Sequence, residues 1–210
     1  MSFLCILSID KCEIFARAPR RFAQKDHVKF VQHSDIAFSV ESVIMNTESE
    51  SEVHNMTENK VIVFDMDGTI ADLYGVDGWL DNLRAEDTRP YEIAKPMYDM
   101  EYIAYILTLL KGLGWRVAVT TWLAKGATKA YDEAVRKAKI EWLAKWGFPY
   151  DEIHLVKYGT TKANCTRKHG GYQVLVDDNE KVRNGWRLGD TIDANKNIIE
   201  SLKNLLTPTA

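Results

Sequence analysis

Short apolar runs alternate with longer amphipathic segments along the chain from residue 60 onward. Continuous runs of apolar, largely β-branched residues predict strands at 60–65, 115–122, 152–158 and 172–179, with a fifth short strand at 190–193. Apolar residues at helical spacing predict helices at 99–114, 127–146, 179–186 and 195–206. Strands that are apolar along their length and separated by helices are typical of a mostly parallel sheet covered on both faces.

The chain before residue 60 lacks this regularity. Residues 46–58, NTESESEVHNMTE, are polar, acidic and without periodicity, so they predict a linker. Residues 1–45 contain no glycine and only short apolar runs. We therefore expect residues 56–210 to form the functional domain, and residues 1–55 to be an N-terminal extension that is flexible, dispensable or a presequence.

Composition limits the classes of function. A chain of 210 residues with 46% apolar and 27% charged residues is expected to form one globular domain. Its formal net charge of −3 gives no general attraction to nucleic acid or to an anionic membrane. The three cysteines lack the paired spacing of a zinc site, and no apolar run approaches the length of a membrane span. We expect a reduced, cytoplasmic setting without membrane contact.

Acidic pairs follow two of the predicted strands. Asp65 and Asp67 come directly after the first strand, and their one-residue spacing in extended chain sends both side chains to the same face. Asp177 and Asp178 end the fourth strand. Because ligands of parallel α/β sheets bind beyond the carboxyl ends of the strands, we expect these carboxylates to converge there.

Hydroxyl and ammonium groups are expected at the same edge. Thr120 and Thr121 end the second strand, where alternation places Thr121 on the face of Val117 and Thr120 on the other face. Lys157 and Lys162 precede the fourth strand, and each is a candidate cation for this acidic edge. Carboxylates, a hydroxyl and a lysine together predict a Mg²⁺ site for a phosphate ester, since Mg²⁺ prefers oxygen ligands.

These motifs resemble a known family. Four motifs between residues 60 and 193 are similar, in order and spacing, to those of haloacid dehalogenase superfamily phosphatases. They are FDMDGT, VTT, a following lysine and VLVDD. The resemblance implies an α/β fold, a Rossmann-like three-layer sandwich whose mostly parallel sheet has the strand order 5-4-1-2-3. It also implies hydrolysis through an aspartyl-phosphate intermediate.

The resemblance implies a role for each acid. Asp65 would be the nucleophile, and Asp67 the general acid that protonates the leaving oxygen and then activates water. Mg²⁺ would be held by the carboxylates of Asp65 and Asp178 and by the backbone carbonyl of Asp67. Asp177 would contact a metal ligand rather than the metal.

The phosphate contacts are implied in the same way. Thr121 would donate a hydrogen bond to a phosphoryl oxygen, with Thr120 ranked second. Lys162 would neutralise charge on Asp65 and on the transferring group, and it ranks ahead of Lys157 because GTTK resembles the glycine-containing turn before the family's lysine.

The substrate is expected to be a small phosphate ester. Residues 73–98 are expected to form a small helical cap insert. Its aromatic and arginine side chains either contact a nucleotide or pack the insert onto the sheet. They are Tyr74, Trp79, Tyr91, Tyr98, Arg84 and Arg89. WLAKWGF, residues 142–148, is similar to a segment of the 5'(3')-deoxyribonucleotidase branch, although the insert here is much shorter.

The predicted function is therefore Mg²⁺-dependent 5'-nucleotidase activity on ribo- or deoxyribonucleoside monophosphates. Two alternatives stay open. One is a phosphatase of a macromolecular end such as a nucleic-acid 3'-phosphate, in which nucleic acid is a partner only as substrate. The other is a non-catalytic binding module with the same fold. The sequence predicts no oligomeric state.

Overall fold

The computed structural model describes residues 59–207, and within them seven strands are formed. The predictions for residues 1–55 lie outside the described residues. The strands are β1 (Lys60–Phe64), β2 (Ala71–Asp72), β3 (Lys95–Pro96), β4 (Trp115–Trp122), β5 (Glu152–Val156), β6 (Tyr172–Asp177) and β7 (Thr191–Asp193).

Five of these strands form the central sheet, in the order β5-β4-β1-β6-β7, and every neighbouring pair is parallel. When the five are numbered along the chain, this order is the predicted 5-4-1-2-3 seen from the opposite edge. The predicted α/β fold with its parallel sheet is therefore confirmed. Because all five strands run the same way, their carboxyl ends share one edge of the sheet.

Helices connect the strands. They are α1 (Trp79–Arg84), α2 (Arg89–Ile93), α3 (Met100–Gly112), α4 (Lys129–Lys145), α5 (Ala163–Thr166), α6 (Glu180–Gly185) and α7 (Ile198–Asn204), with a 3₁₀ turn at Arg167–His169.

The long predicted helices are present but start slightly later than predicted. The Asp99 carboxylate accepts a hydrogen bond from the Tyr102 backbone N–H, and the Thr128 hydroxyl accepts one from that of Tyr131. These two side chains cap α3 and α4 and set their first turns. Periodicity alone does not distinguish a capping residue from a helical one.

The core lies on both faces of the sheet. Ile62 and Phe64 of β1 pack with the buried side chains of α3, α4 and α7, whereas Val61 and Val63 pack on the opposite face with Leu175 and Trp186. All four of these β1 side chains are fully buried. A strand buried on both faces is what a three-layer sandwich requires.

The insert after β1 is small and helical, as predicted. It contains α1 and α2, and its ends are joined by a two-residue antiparallel ladder in which Ala71 pairs with Pro96 and Asp72 with Lys95. The ladder was not predicted because strands of two residues carry no periodicity. Within residues 59–207, no helix combines the length and the apolar character that a bilayer crossing requires.

Two neighbouring tryptophans of α4 and its C-terminus allow a test of this packing. The buried Trp142 indole N–H donates to the Ala94 backbone carbonyl at 2.7 Å, joining α4 to the insert. Trp142→Phe leaves that carbonyl without its donor, so we expect the free energy of unfolding to fall by about 1–3 kcal/mol in urea denaturation. Trp146→Phe is the matched control, because within residues 59–207 the Trp146 indole N–H has no partner. Equal losses from both substitutions would contradict the role given to Trp142.

Candidate active site

The turn that follows β1 carries the first acidic pair. The Asp65 backbone N–H donates to the Val176 carbonyl at 2.9 Å, which extends the pairing with β6 by one residue. The Met66 carbonyl then accepts hydrogen bonds from the backbone N–H groups of residues 69, 70 and 71, which closes a tight turn. The side chain of Asp65 is consequently held at the carboxyl edge of the sheet.

Gly68 is required in this turn. Its φ of +74° lies in the left-handed region, and a Cβ there would lie 2.5 Å from Tyr74 Cε2 and 2.8 Å from Asp178 Oδ2. The glycine thus lets the acidic turn approach the carboxylate at the end of β6.

The strand register decides which side chains share the face of Asp65. Phe64 of β1 pairs with Val119 of β4 and with Val176 of β6. The next residues along the three strands are Asp65, Thr120 and Asp177, so these lie side by side on one face.

Lys162 is the lysine that the fold brings to these acids. Its Nζ lies 2.8 Å from Asp65 Oδ1 and 2.6 Å from Asp177 Oδ2, and the residue is 2% exposed. Burial opposes its charge, but Asp65 and Asp177 outweigh burial and raise the pKa of Lys162. Lys157, the competing candidate, is exposed just beyond the end of β5.

A second buried lysine was not predicted. Lys139 of α4 is fully buried, and its Nζ lies 2.5 Å from Asp67 Oδ2, 2.8 Å from Thr121 Oγ1 and 2.8 Å from the Trp122 carbonyl oxygen. The sequence does carry a signal for Lys139, because it lies on the same apolar face of α4 as Val135 and Trp142. A charged residue at such a position is rarely buried without a partner, so it indicates a buried acceptor nearby.

The two threonines at the end of β4 point to opposite faces, as alternation predicts. Thr121 faces α4, and its hydroxyl already accepts a hydrogen bond from Lys139. Thr120 is fully buried on the face of Asp65, and within residues 59–207 its hydroxyl has no hydrogen-bond partner. Thr120, which was ranked second, is therefore the threonine on the face of Asp65. Alternation alone does not tell which face carries Asp65.

Three carboxylates converge closely enough to hold one cation. Asp65, Asp177 and Asp178 each offer an oxygen, and these atoms lie within 4.8 Å of one another. Both oxygens of Asp177 are engaged, one by Lys162 Nζ at 2.6 Å and the other by the Asn179 N–H at 2.8 Å. Burial, followed by the charges of Asp65 and Asp177, raises the pKa of Asp178 to about 6. A bound cation would relieve that repulsion.

The charges of the site fit a divalent ion. Four aspartates, those at positions 65, 67, 177 and 178, face two buried ammonium groups, Lys139 and Lys162. When all four carboxyl groups are ionised, two negative charges are left over at a sheet edge rich in oxygen ligands, and one is left over when Asp67 is protonated. That balance and donor set suit Mg²⁺.

Two of the four aromatic side chains of the insert serve packing. Tyr91 is 3% exposed, and its ring lies 5.0 Å from Lys139 Nζ. The Tyr98 hydroxyl donates to the Ala194 carbonyl at 2.9 Å. Tyr74 differs, because it is 50% exposed and meets Trp79 edge to face at 5.0 Å. Among the four aromatic residues of the insert, Tyr74 and Trp79 are the two that lie beside the acidic turn and keep part of their surface exposed.

The two arginines of the insert lie away from the acids that gather around Lys162. Arg84 pairs with Asp81 at 3.3 Å on the surface of α1. Arg89 lines a separate cavity of about 510 Å³ beside the end of β2. Neither position supports the expected contact with a nucleotide.

An aromatic cavity of about 330 Å³ opens beside Lys162. Trp122 lines it, held by a hydrogen bond of 2.8 Å from its indole N–H to the Thr160 carbonyl, and its ring lies 5.2 Å from Lys162 Nζ. The Tyr158 ring lies 5.0 Å from the Trp122 ring, and Lys181 also lines the cavity. The sequence did not predict this pair, because the two rings belong to the ends of different strands.

Comparison with known proteins adds little to this geometry. No protein-family model and no curated protein matches the chain. Among solved structures it is similar to a chain of the Pnkp1/Rnl/Hen1 complex, with 18% identity over 70% of this chain and 51% of that one and a TM-score of 0.45. The chain thus spans about half the length of that protein.

A second solved structure is similar over its whole length. It is D,D-heptose 1,7-bisphosphate phosphatase from Burkholderia thailandensis, with 13% identity over 71% of this chain and 100% of that one and a TM-score of 0.43. Similarities this distant assign neither a substrate nor an activity to the chain.

The close approach at Gly68 can be tested by substitution. Gly68→Ala places a Cβ against Asp178 and Tyr74 in addition to straining φ, so we expect it to cost more stability than the strain alone, which is about 1–2 kcal/mol. Gly114→Ala is the control, because its φ is +85° but nothing lies within 4 Å of the added Cβ. Thermal denaturation of both variants measures the difference. A Gly68→Ala protein as stable as Gly114→Ala would contradict the close approach.

The raised pKa of Asp178 predicts how metal binding depends on pH. A protonated carboxyl is a poor ligand, so Mg²⁺ must compete with a proton once the pH falls below about 6. We expect the Mg²⁺ affinity, measured by calorimetry, to weaken by about tenfold per pH unit below that value. Asp178→Asn should bind weakly at every pH. Wild-type affinity that is constant from pH 7 to pH 5 would show that Asp178 is not a ligand.

Proposed function

We propose that this protein is a Mg²⁺-dependent phosphomonoester hydrolase that works through a phosphorylated Asp65. The observation that supports it most strongly is the surroundings of Asp65. Its carboxylate lies 2.8 Å from the buried ammonium group of Lys162. The buried hydroxyl of Thr120 shares its face of the sheet and has no hydrogen-bond partner among residues 59–207. A nucleophile, a cation and a free donor at one sheet edge are what transfer of a phosphoryl group to a carboxylate needs.

In the first step, a carboxylate oxygen of Asp65 attacks phosphorus and the bond to the leaving oxygen breaks. Lys162 and Thr120 donate hydrogen bonds to the phosphoryl oxygens. Asp67 gives its proton to the leaving oxygen. Burial raises the pKa of Asp67 against the opposing charge of Lys139, and this is the direction that a general acid needs.

In the second step, Asp67 has become a carboxylate and takes a proton from a water molecule. That water attacks phosphorus, the acyl-phosphate bond breaks, and inorganic phosphate leaves. Asp65 is regenerated as a carboxylate, and Asp67 is again protonated.

The carboxylates of Asp65 and Asp178 and the backbone carbonyl of Asp67 would hold the Mg²⁺. Asp177, with both oxygens engaged, keeps Lys162 in place instead. When bound, the ion lowers the repulsion between an anionic nucleophile and an anionic phosphate.

The proposed substrate is a ribo- or deoxyribonucleoside monophosphate. The cavity beside Lys162 supports it, because Trp122 and Tyr158 offer a stacking surface for a nucleobase next to the phosphate site. On the other side, Tyr74 and Trp79 add an exposed aromatic edge. The small insert leaves room for a leaving group of nucleoside size.

A nucleic-acid end that carries a 3'-phosphate is the second candidate. Two lysines lie near the aromatic surface: Lys181 lines the cavity, and Lys125 Nζ lies 5.7 Å from the centroid of the Tyr158 ring. Two cations near an aromatic surface suit a strand that continues past its terminal nucleotide.

Hydrolysis of a panel of phosphate esters tests this function. We expect the purified protein to release phosphate from nucleoside monophosphates with Mg²⁺ but not with EDTA, and Asp65→Asn to lower kcat by at least about 10³-fold. Glu133→Gln on α4, where 78% of the side chain is exposed, is the control and should match the wild type. Acid quenching with labelled substrate should trap phosphate on the wild-type protein and not on Asp65→Asn.

The panel also separates the candidates. Release from a 3'-phosphorylated oligonucleotide alone would favour the second candidate. Metal-dependent ligand binding without release from any ester would favour a binding module and contradict the proposed hydrolase.

A further inference from the structure

Lys139 sits where an apolar residue is expected. The inner face of α4 is otherwise apolar around it, with Val135, Trp142 and Leu143 fully or almost fully buried. An ammonium group costs several kcal/mol to bury unless it is paired, so a fully buried lysine must be compensated by its surroundings. The proposed reaction gives it no direct contact with the substrate.

The surroundings of Lys139 use every donor it has. A lysine ammonium has three N–H groups, and the three acceptors are Asp67 Oδ2, Thr121 Oγ1 and the Trp122 carbonyl. The ring of Tyr91 lies 5.0 Å from Nζ. Because all of these neighbours are fixed by β4, the turn or the insert, the ammonium group has one position.

The contact with Asp67 has a consequence for that side chain. Asp67 lies in the turn beyond β1, and its side chain keeps 16% of its surface exposed. An ammonium group that is itself fixed holds Oδ2, so the rotamer of Asp67 is determined by α4 rather than by the turn alone.

We propose that Lys139 is a positioning residue: by holding Oδ2 of Asp67 from behind, it presents the other carboxyl oxygen to the leaving group and to the attacking water. This inference rests on the proposed function. Under this proposal, α4 orients the general acid, although α4 is remote in sequence from the acidic motifs.

Such a role has a signature that a purely structural role lacks. When an alkyl phosphate reacts, the P–O bond breaks as the Asp67 proton moves to the leaving oxygen, so a displaced Asp67 slows the reaction. When p-nitrophenyl phosphate reacts, the stable p-nitrophenolate leaves without that proton. A misplaced general acid therefore slows the first substrate much more than the second.

The test compares kcat/KM for both substrates in Lys139→Met, because kcat/KM reports the steps up to leaving-group departure. We expect a loss of about 30- to 100-fold with a nucleoside monophosphate or with β-glycerol phosphate. With p-nitrophenyl phosphate we expect less than about threefold. Lys137→Met is the matched control, since Lys137 is on the same helix with 77% of its side chain exposed.

A double-mutant cycle tests whether Lys139 acts through Asp67. In an Asp67→Asn background, Lys139→Met should change kcat/KM for the alkyl phosphate no further. This double variant also removes both members of the buried ion pair, so it avoids leaving one charge unpaired. If Lys139→Met alone does not fold, Lys139→Gln, which keeps two N–H donors, replaces it in the same comparison.

The outcomes are distinct. An equal loss for both substrates, or a further loss in the Asp67→Asn background, would overturn the positioning role and leave the hydrolase proposal intact. A folded wild-type protein that hydrolyses neither substrate, nor any other ester of the panel including the 3'-phosphorylated oligonucleotide, would overturn both.

Discussion

Repulsion among carboxylates is the constraint around which this structure is arranged. Oxygens of Asp65, Asp177 and Asp178 lie within 4.8 Å of one another at a partly buried sheet edge, where like charges are costly. Two lysines from different parts of the fold offset part of this repulsion. Lys162 pairs with Asp65 and Asp177, and Lys139 pairs with Asp67. The negative charge that remains would let the edge hold a cation, which a closed network of ion pairs would not.

A crowded acidic edge needs a rigid support. Residues 61–64 of β1, directly before Asp65, are fully buried on both faces and paired with β4 and β6 along their length. Their burial stabilises the sheet by about 25 cal/mol for each Å² of apolar surface removed from water, and this offsets a site that by itself opposes folding. The sheet thereby holds acids that would otherwise separate.

The sequence predicted what depends on neighbouring residues and missed what depends on long-range contacts. Apolar runs were sufficient to predict the central strands and the placement of Asp65 and Asp177 at one edge, whereas the order of the strands was implied by the family resemblance. Thr120 was ranked below Thr121 because its face depends on the register of β4 against β1. Lys139 was missed because it contacts Asp67 across 72 residues, and helix periodicity shows only that it faces inward.

The same comparison shifts where substrate selection is expected. The aromatic residues of the insert looked suited to a nucleobase, yet Tyr91 is packed against the Lys139 ammonium group and Tyr98 is bonded to the Ala194 carbonyl. The aromatic surface that stays accessible beside Lys162 is formed by Trp122 and Tyr158, which follow from the carboxyl ends of β4 and β5. Since the end of β4 also carries Thr120, and the loop after β5 carries Lys162, the proposed phosphate contacts lie beside this aromatic surface. Under that proposal, changes in substrate choice would arise through the loops that extend the sheet, and the insert would act mainly to stabilise Lys139 and the acidic turn.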